Sequence, residues 1–363
     1  MTPWQRRLQL ALIGVALVAL ALNVTKGTPS AGPPVTGQAS TSPAPASTFD
    51  LTPRIAIVYD VGGRGTAGLH ELAREGVKRA ADAFGAEVKE VATEPDETDA
   101  DREAHLKELA EASYYPIFAI GSAYAGPVAK VAPNYPRSWF SIVDDGTVQA
   151  PNVIGIKFNE EQGSFLVGAA AALTSKADNV GFIGAAPIPE LEKYEAGFAA
   201  GARAANPQVK VQVAYLSQAP DDAGVSDPAE ARKAALDMYD AGADVIFGAA
   251  GDLGHEVIQA AHDRGLWAIG VDSDQYLASD PSVRGTILTS MLKLADAATY
   301  TITMEVANSV SKDGNNVFGL DRGGVGYATS GGFVDPIKAQ LDAFATRIAS
   351  GEILVPTKPR PAP

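Results

Sequence analysis

Aspartates placed just past apolar runs are the residues of this sequence best suited to chemistry. In LWAIGVDSDQ, from Leu266 to Gln275, an apolar run gives way to Asp272, Ser273, Asp274 and Gln275. Asp60 holds the same place after Ile55-Ala56-Ile57-Val58-Tyr59. Such runs read as buried strands, and in open α/β sheets ligands bind just outside the carboxyl ends of the strands. Carboxylates accept hydrogen bonds and a buried hydroxyl needs a partner, so these strand ends suit a hydroxyl-rich small molecule. Asp60 and Asp272, at corresponding strand ends of two halves, could face one ligand from both sides. The competing reading is a polar turn that only caps the segment after it.

Glycine-rich turns accompany both candidates. Asp60-Val61-Gly62-Gly63-Arg64-Gly65 follows a strand and opens a helix, where glycines let backbone approach a ligand. It lacks the spacing of GxGxxG, and no Walker lysine follows it, so a dinucleotide or phosphate site is not indicated. Gly251-Asp252-Leu253-Gly254 repeats the arrangement, with Asp252 expected to serve as an N-cap. Lys293, after Leu288-Thr289-Ser290-Met291-Leu292, reads by itself as a solvent-facing lysine.

Other chemistries find no support. The four histidines, His70, His105, His255 and His262, are scattered with no metal-ligand spacing. The chain has no cysteine, which removes disulfides, thiolate metal sites and thiol nucleophiles. There is no GxSxG elbow. Asp144-Asp145 and Asp221-Asp222 read as solvated acidic turns. No catalytic set, metal site or cofactor is expected. A net charge of -14, from 43 acidic and 29 basic residues, argues against nucleic acid as a partner.

The elements that must carry these groups come in two series. Strands at 55–59, 88–91, 117–120, 139–143 and 153–158 alternate with helices. A second series runs from a small-residue helix at Phe165 through strands at 180–183, 209–216, 245–247 and 266–272. Alternation of this kind means parallel sheets with right-handed crossovers. With 363 residues the chain has room for two lobes and a cleft between them. The division expected is 53–152 for the first lobe, joined by part of 275–350 crossing back, and 153–274 for the second. Residues 1–26, with Arg6 and Arg7 before an apolar run from Leu8 to Leu22, read as a signal peptide or an N-terminal anchor. Residues 27–52, rich in Pro, Ser, Thr and Gly, read as a disordered linker, and 351–363 as a disordered tail.

Taken together, several stretches resemble one family. IAIVYDVGG from Ile55, NVIGIKFNEEQGSFLVGAAAAL from Asn152, NVGFIGAAPIPELEKYEAGFAAG from Asn179 and GADVIFGAAG from Gly242 carry the likeness. AIGVDSDQ from Ala268, LTSMLK from Leu288 and VFGLDRGGVGYA from Val317 complete it. They are similar to the basic membrane protein family of ABC-transporter substrate-binding proteins, whose best-understood branch is the purine nucleoside receptors. The resemblance implies a type I periplasmic-binding-protein fold, with two Rossmann-like lobes, a hinge and the ligand in the interlobe cleft. It implies that Asp60 contacts the base, that Asp272 and Lys293 hold the ribose hydroxyls, and that Gly251 lines the pocket.

The base side departs from the family pattern. Leu69 stands where the family has a stacking Phe, and His70 where it has Asn. Val225 holds the approximate place of the second stacking aromatic, after an apparent insertion at 219–224. Aromatic stacking contributes about 1–3 kcal/mol per base, so losing two faces would weaken purine binding by orders of magnitude. Tyr124, Tyr194 and Tyr276 are candidate replacements. The lipid-bearing cysteine of the family's lipoproteins is also absent.

The function expected is an exported solute-binding protein of an ABC importer. It would be monomeric, would take a nucleoside-like small molecule by hinge closure, and would present it to a membrane permease. The alternative is a membrane-tethered sensor that signals to a partner on binding a non-nucleoside ligand. An enzyme such as a nucleoside hydrolase is the weakest reading, because no acid, base and nucleophile stand out.

Overall fold

The computed structural model describes residues 53–60, 68–92, 96–217 and 227–360. The expectations for 1–26, for 27–52, for the glycine turn beyond Asp60, for Val225 and for 361–363 fall outside the described residues.

The first series reads β1 (Arg54–Tyr59), α1 (Leu69–Phe84), β2 (Glu87–Val91), α2 (Asp99–Glu111), β3 (Ile117–Ile120), α3 (Ala125–Val131), β4 (Phe140–Val143) and β5 (Val153–Phe158). The second begins with α4 (Glu160–Thr174), β6 (Asn179–Gly184), α5 (Pro189–Ala205), β7 (Lys210–Tyr215) and α6 (Pro228–Asp240). It continues through β8 (Val245–Ala249), α7 (Gly254–Arg264), β9 (Trp267–Asp272), the short α8 (Gln275–Ala278) and β10 (Ile287–Lys293). The last elements are α9 (Ala295–Ala307), β11 (Gly314–Phe318), β12 (Val325–Tyr327) and α10 (Lys338–Ala349).

These strands form two six-stranded sheets, ordered β11-β5-β4-β3-β1-β2 and β12-β10-β9-β8-β6-β7. The central strands β3, β4, β6 and β8 are buried along their whole length. That matches parallel strands covered by helices on both faces, which read as near-continuous apolar runs. Helix α1 contributes Ala73, Val77 and Ala81 to the same core. Helix α2 starts on a capping box in which Thr98 and Asp101 satisfy each other's backbone N–H.

The structure differs from the expectations in three places. Strand β5 pairs with β4 in the first sheet, so the first lobe extends past residue 152 to Phe158. Strand β12 runs antiparallel to β10, whereas the other strand pairs of the two sheets are parallel. The tail is not free over 351–360: Ile353 and Val355 pack against the cluster of Phe165, Leu166 and Ile348, and that apolar contact fixes it.

The chain passes between lobes three times, after β5, after β10 and after β11. The passages are tied together. Asn159 N donates to Phe318 O at 3.2 Å, and Leu294 N donates to Gly324 O at 2.8 Å. Leu320 N donates to Gln162 Oε1 at 2.8 Å. A few element-terminal residues held side by side are the usual make-up of a hinge.

Candidate functional site

Lys293 is the last residue of β10, and its neighbours in the cleft come from five other elements. Its Nζ lies 3.1 and 3.0 Å from Oδ1 and Oδ2 of Asp144, the residue after β4 in the first lobe. Glu160, opening α4, sets Oε1 3.5 Å from the same ammonium. Its other oxygen accepts from Lys193 Nζ at 3.0 Å. Tyr194, on α5, donates its hydroxyl to Asp272 Oδ1 at 3.3 Å. The rings of Phe158 and Tyr194 stand 5.5 and 5.8 Å from the lysine nitrogen.

Local backbone explains how two of these carboxylates reach the cleft. Asp144 and Asp272 have φ of 70° and 65°, a left-handed geometry that non-glycine residues adopt sparingly. Each such residue costs of order 1–3 kcal/mol and persists only where its surroundings hold it. Helix packing supplies the rest. Gly197 lets α5 lie directly on α4, since a Cβ there would stand 2.2 Å from Glu161 O. That close approach brings Lys193 and Tyr194 to Glu160.

Electrostatics follow from burial. Lys293 is only 6% exposed. Burial works against its charge, but Asp144, Tyr194, Glu160 and Asp272 outweigh it and hold its pKa well above the ordinary lysine value. Burial raises the carboxyl of Asp272, against the opposing pull of Lys293. Tyr194 is likewise raised, by burial and by the charge of Asp272. The cluster sets three carboxylates, on Asp144, Glu160 and Asp272, against two ammonium groups, on Lys193 and Lys293. Such a surplus of acceptors favours ligand groups that donate hydrogen bonds.

A second constellation sits at the end of β1. His70 Nε2 lies 2.8 Å from Asp60 Oδ1. The His70 ring stands edge-on to Tyr59 at 5.7 Å. Gly121, at φ 102°, packs under the carboxylate; a Cβ there would lie 1.6 Å from Asp60 Oδ2.

The sequence candidates therefore separate. Asp272 and Lys293 join one cluster, and Asp60 and His70 form a pair. Leu69 packs against the large core cluster. Gly251 is exposed, with φ 55°, just beyond β8, the neighbour of β9. Asp252 does not cap α7: Leu253 holds the cap position, with no side-chain bond to the helix. Of the four polar residues from Asp272 to Gln275 at the end of β9, only Asp272 bonds into the cluster. Gln275 N accepts no role there and donates instead to Ser290 Oγ at 3.1 Å, while Asp274 Oδ2 accepts from Ser330 at 2.6 Å. Tyr194 is the one aromatic candidate that joins the cluster. Tyr124 lies inside the apolar cluster around Leu106 and Leu109, and Tyr276 packs on Phe333 at 6.2 Å.

Sequence reasoning missed Asp144, Glu160 and Lys193. Asp144 read as half of a solvated acidic pair, yet it ends the buried strand FSIV just as Asp60 and Asp272 end theirs. Its neighbour Asp145 is the residue that fastens the turn, accepting from Thr147 N and Oγ1 at 2.8 Å. Glu160 and Lys193 carry no such signal, because their meeting depends on the packing of α4 on α5. Among the described residues no group of His, Cys, Asp and Glu could hold a metal ion.

The architecture has close counterparts among solved structures. An ABC transporter system solute-binding protein from Conexibacter woesei superposes with a TM-score of 0.69 over 84% of this chain and 99% of its own, at 23% identity. Two parallel-sheet lobes, joined by three passages and lined at their strand ends by polar groups, define a protein of the periplasmic-binding-protein fold. Within that class, the chain belongs to the family described as ABC transporter substrate-binding protein PnrA-like, whose model matches residues 54–358. The CD4+ T-cell-stimulating antigen of Listeria monocytogenes is 31% identical over 333 residues, covering 86% of this chain and 90% of that protein. The ABC transporter nucleoside-binding protein BmpA of Lactococcus lactis is 29% identical over 260 residues, covering 68% and 72%.

Proposed function

We propose that this protein binds a nucleoside, or a related ribose-containing small molecule, between its lobes and presents it to a membrane permease on closure. The observation that carries the reading is the cluster at Lys293, in which Asp272, Asp144 and Glu160 gather around one buried ammonium. Vicinal hydroxyls both donate and accept, and this mixture of carboxylates and ammonium matches them. Asp272 and Lys293 grip the ribose, Asp60 with His70 meets the base or its replacement, and Gly251 borders the pocket. Asp144 and Lys193 complete the lining from opposite lobes.

The relative named as nucleoside-binding supports the ligand class. Binding rather than catalysis follows the family's description. In this reading the protein acts as a monomer outside the cytoplasm, held near the membrane through the segment at 1–26. Closure converts ligand affinity into a shape that the permease distinguishes, since a ligand shifts a conformational equilibrium only by its differential affinity for the two states.

The test uses the full chain. It is denatured to release any co-purified small molecule for mass spectrometry, then refolded and titrated with purine and pyrimidine nucleosides by calorimetry, with Asp272→Asn as control. Binding of a nucleoside that the variant loses supports the reading. No binding across the panel overturns the nucleoside assignment and brings forward the tethered sensor with another ligand.

A further inference from the structure

Glu160 and Glu161 are adjacent at the start of α4 and meet different surroundings. Glu160 reaches Lys293 in the cleft. Glu161 lines a separate cavity of about 330 Å³, bounded also by Asn159, Gln162, Asp321 and the segment from Ile348 to Val355. Glu161 is 6% exposed, and among the described residues its carboxyl bonds only its own backbone N–H. A carboxyl buried to this extent normally has a partner or stays protonated.

The lining has a consistent chemistry. Glu161 and Asp321 offer carboxylates, Asn159 offers an amide oxygen, and Ile353, Leu354 and Val355 form an apolar wall. No residue of the lining is basic. Lys193, which draws the carboxyl of Glu161 toward its charged form, is already bonded to Glu160 at 3.0 Å. The ion pair of Arg347 with Glu352, 2.7 Å apart, is satisfied within the C-terminal segment. Arg322 is turned to Glu305, at 3.6 Å.

We propose that this cavity is a second binding site, for a small primary ammonium compound with a short alkyl part, and that its occupant biases lobe closure. The ammonium donates to Glu161 and Asp321, and the alkyl part lies along Ile353 and Val355. Coupling to closure follows from where the lining comes from. Asn159 and Gln162 belong to the first passage between lobes, Asp321 belongs to the third, and Gln162 bonds across to Leu320. An occupant touching both passages biases closure to the extent that its contacts differ between the two arrangements, which is the requirement for a coupling free energy. Burial raises the carboxyl of Glu161 to about 7, so a cation that keeps it charged competes with a proton there.

The probe is n-butylammonium, with n-butanol as its neutral match in shape, titrated into the full chain and followed by NMR at pH 8. Saturable binding at one site is expected, weakened at least about tenfold in Glu161→Gln, where the charge-assisted bond is lost. Leu354→Trp should obstruct the cavity with the same result; Leu354 is 86% exposed, so that change leaves the core alone. n-Butanol should neither bind nor compete. Equal binding to the wild type and both variants, or no saturation, overturns the site. Small-angle scattering reads the hinge: the radius of gyration should move on saturation of the wild type and stay fixed in Glu161→Gln. A radius that does not move overturns the coupling.

Discussion

Lys293 Nζ is bonded to both carboxylate oxygens of Asp144, at 3.1 and 3.0 Å, although 149 positions separate the two residues. One belongs to a strand of the second sheet and the other follows a strand of the first, so this ion pair ties the lobes across the cleft. Lys293→Met should therefore harm stability as well as binding, because it leaves Asp144, Glu160 and Asp272 without their shared cation. Breaking a fully buried pair costs about 3–5 kcal/mol; with the Asp144 side chain 32% exposed, about 2–3 kcal/mol is expected. At roughly 2 °C per kcal/mol for a unit of this size, the Tm should fall by about 5 °C. Adding Asp144→Asn should restore part of that loss, since the uncompensated charge is then reduced. An unchanged Tm in Lys293→Met would mean that the pair contributes nothing to the fold.

The saturation of the cations also sets a limit on the ligand. Lys293 is held by Asp144 and Glu160 and Lys193 by Glu160, so each ammonium is already paired with a carboxylate and a phosphate would enter a cluster in which carboxylates outnumber ammonium groups. A nucleoside 5′-monophosphate should bind at least about 100-fold more weakly than the nucleoside itself, a difference of about 2.7 kcal/mol. Calorimetry on the pair of ligands decides it. Comparable affinities would mean that the phosphate lies outside the cluster, and the ribose would then have to be placed differently.

Acid dependence should come from Glu161. Its carboxyl is raised from 4.5 to about 7 by burial. The native state therefore holds a proton that the unfolded chain releases between these values. Stability then falls as pH rises through this window and levels off above it. At about 1.4 kcal/mol per pKa unit the loss is up to about 3 kcal/mol. Glu161→Gln removes the effect, so urea unfolding of wild type and variant should diverge between pH 5 and 8, with the wild type losing ground. A constant difference across that range would show that Glu161 keeps its ordinary pKa in the fold.

Much of the architecture is legible in the sequence because buried parallel strands announce themselves. IAIVY, IFAI and VIFGA are apolar on both faces, and polar or glycine turns stop each of them. The passages between lobes are less legible. Strand β5 looks like any other strand, and only its pairing with β4 assigns it to the first sheet. The site divides in the same way. Asp272 stands at a strand end, where position alone suggests a role, whereas Lys293 reads alone as a solvent-facing lysine and is marked only by the family resemblance, although the fold buries it. Glu160, Lys193 and Tyr194 lie on helices, and a helical residue faces a cleft only by virtue of how its helix packs. The C-terminal segment misleads for a related reason: prolines suggest disorder locally, but Ile353 and Val355 find apolar partners that only the tertiary structure supplies.

Gly121 offers the sharpest separation of backbone from site. Its φ of 102° disfavours any side chain, and a Cβ would stand 1.6 Å from Asp60 Oδ2 and 2.2 Å from Asp60 Cγ. Gly121→Ala must therefore push the Asp60 carboxylate away and disturb its bond to His70. Gly85, which ends α1 at φ 66°, provides the control, because a Cβ there meets nothing within 4 Å. The left-handed backbone alone costs about 1–2 kcal/mol in either variant. Gly85→Ala should show that loss in thermal unfolding and still bind ligand as the wild type does. Gly121→Ala should lose at least as much stability and, in addition, about tenfold or more in affinity, the equivalent of one charge-assisted hydrogen bond misplaced. If the two variants bind equally well, Asp60 takes no part in holding the ligand. The recognition would then rest on the Lys293 cluster alone.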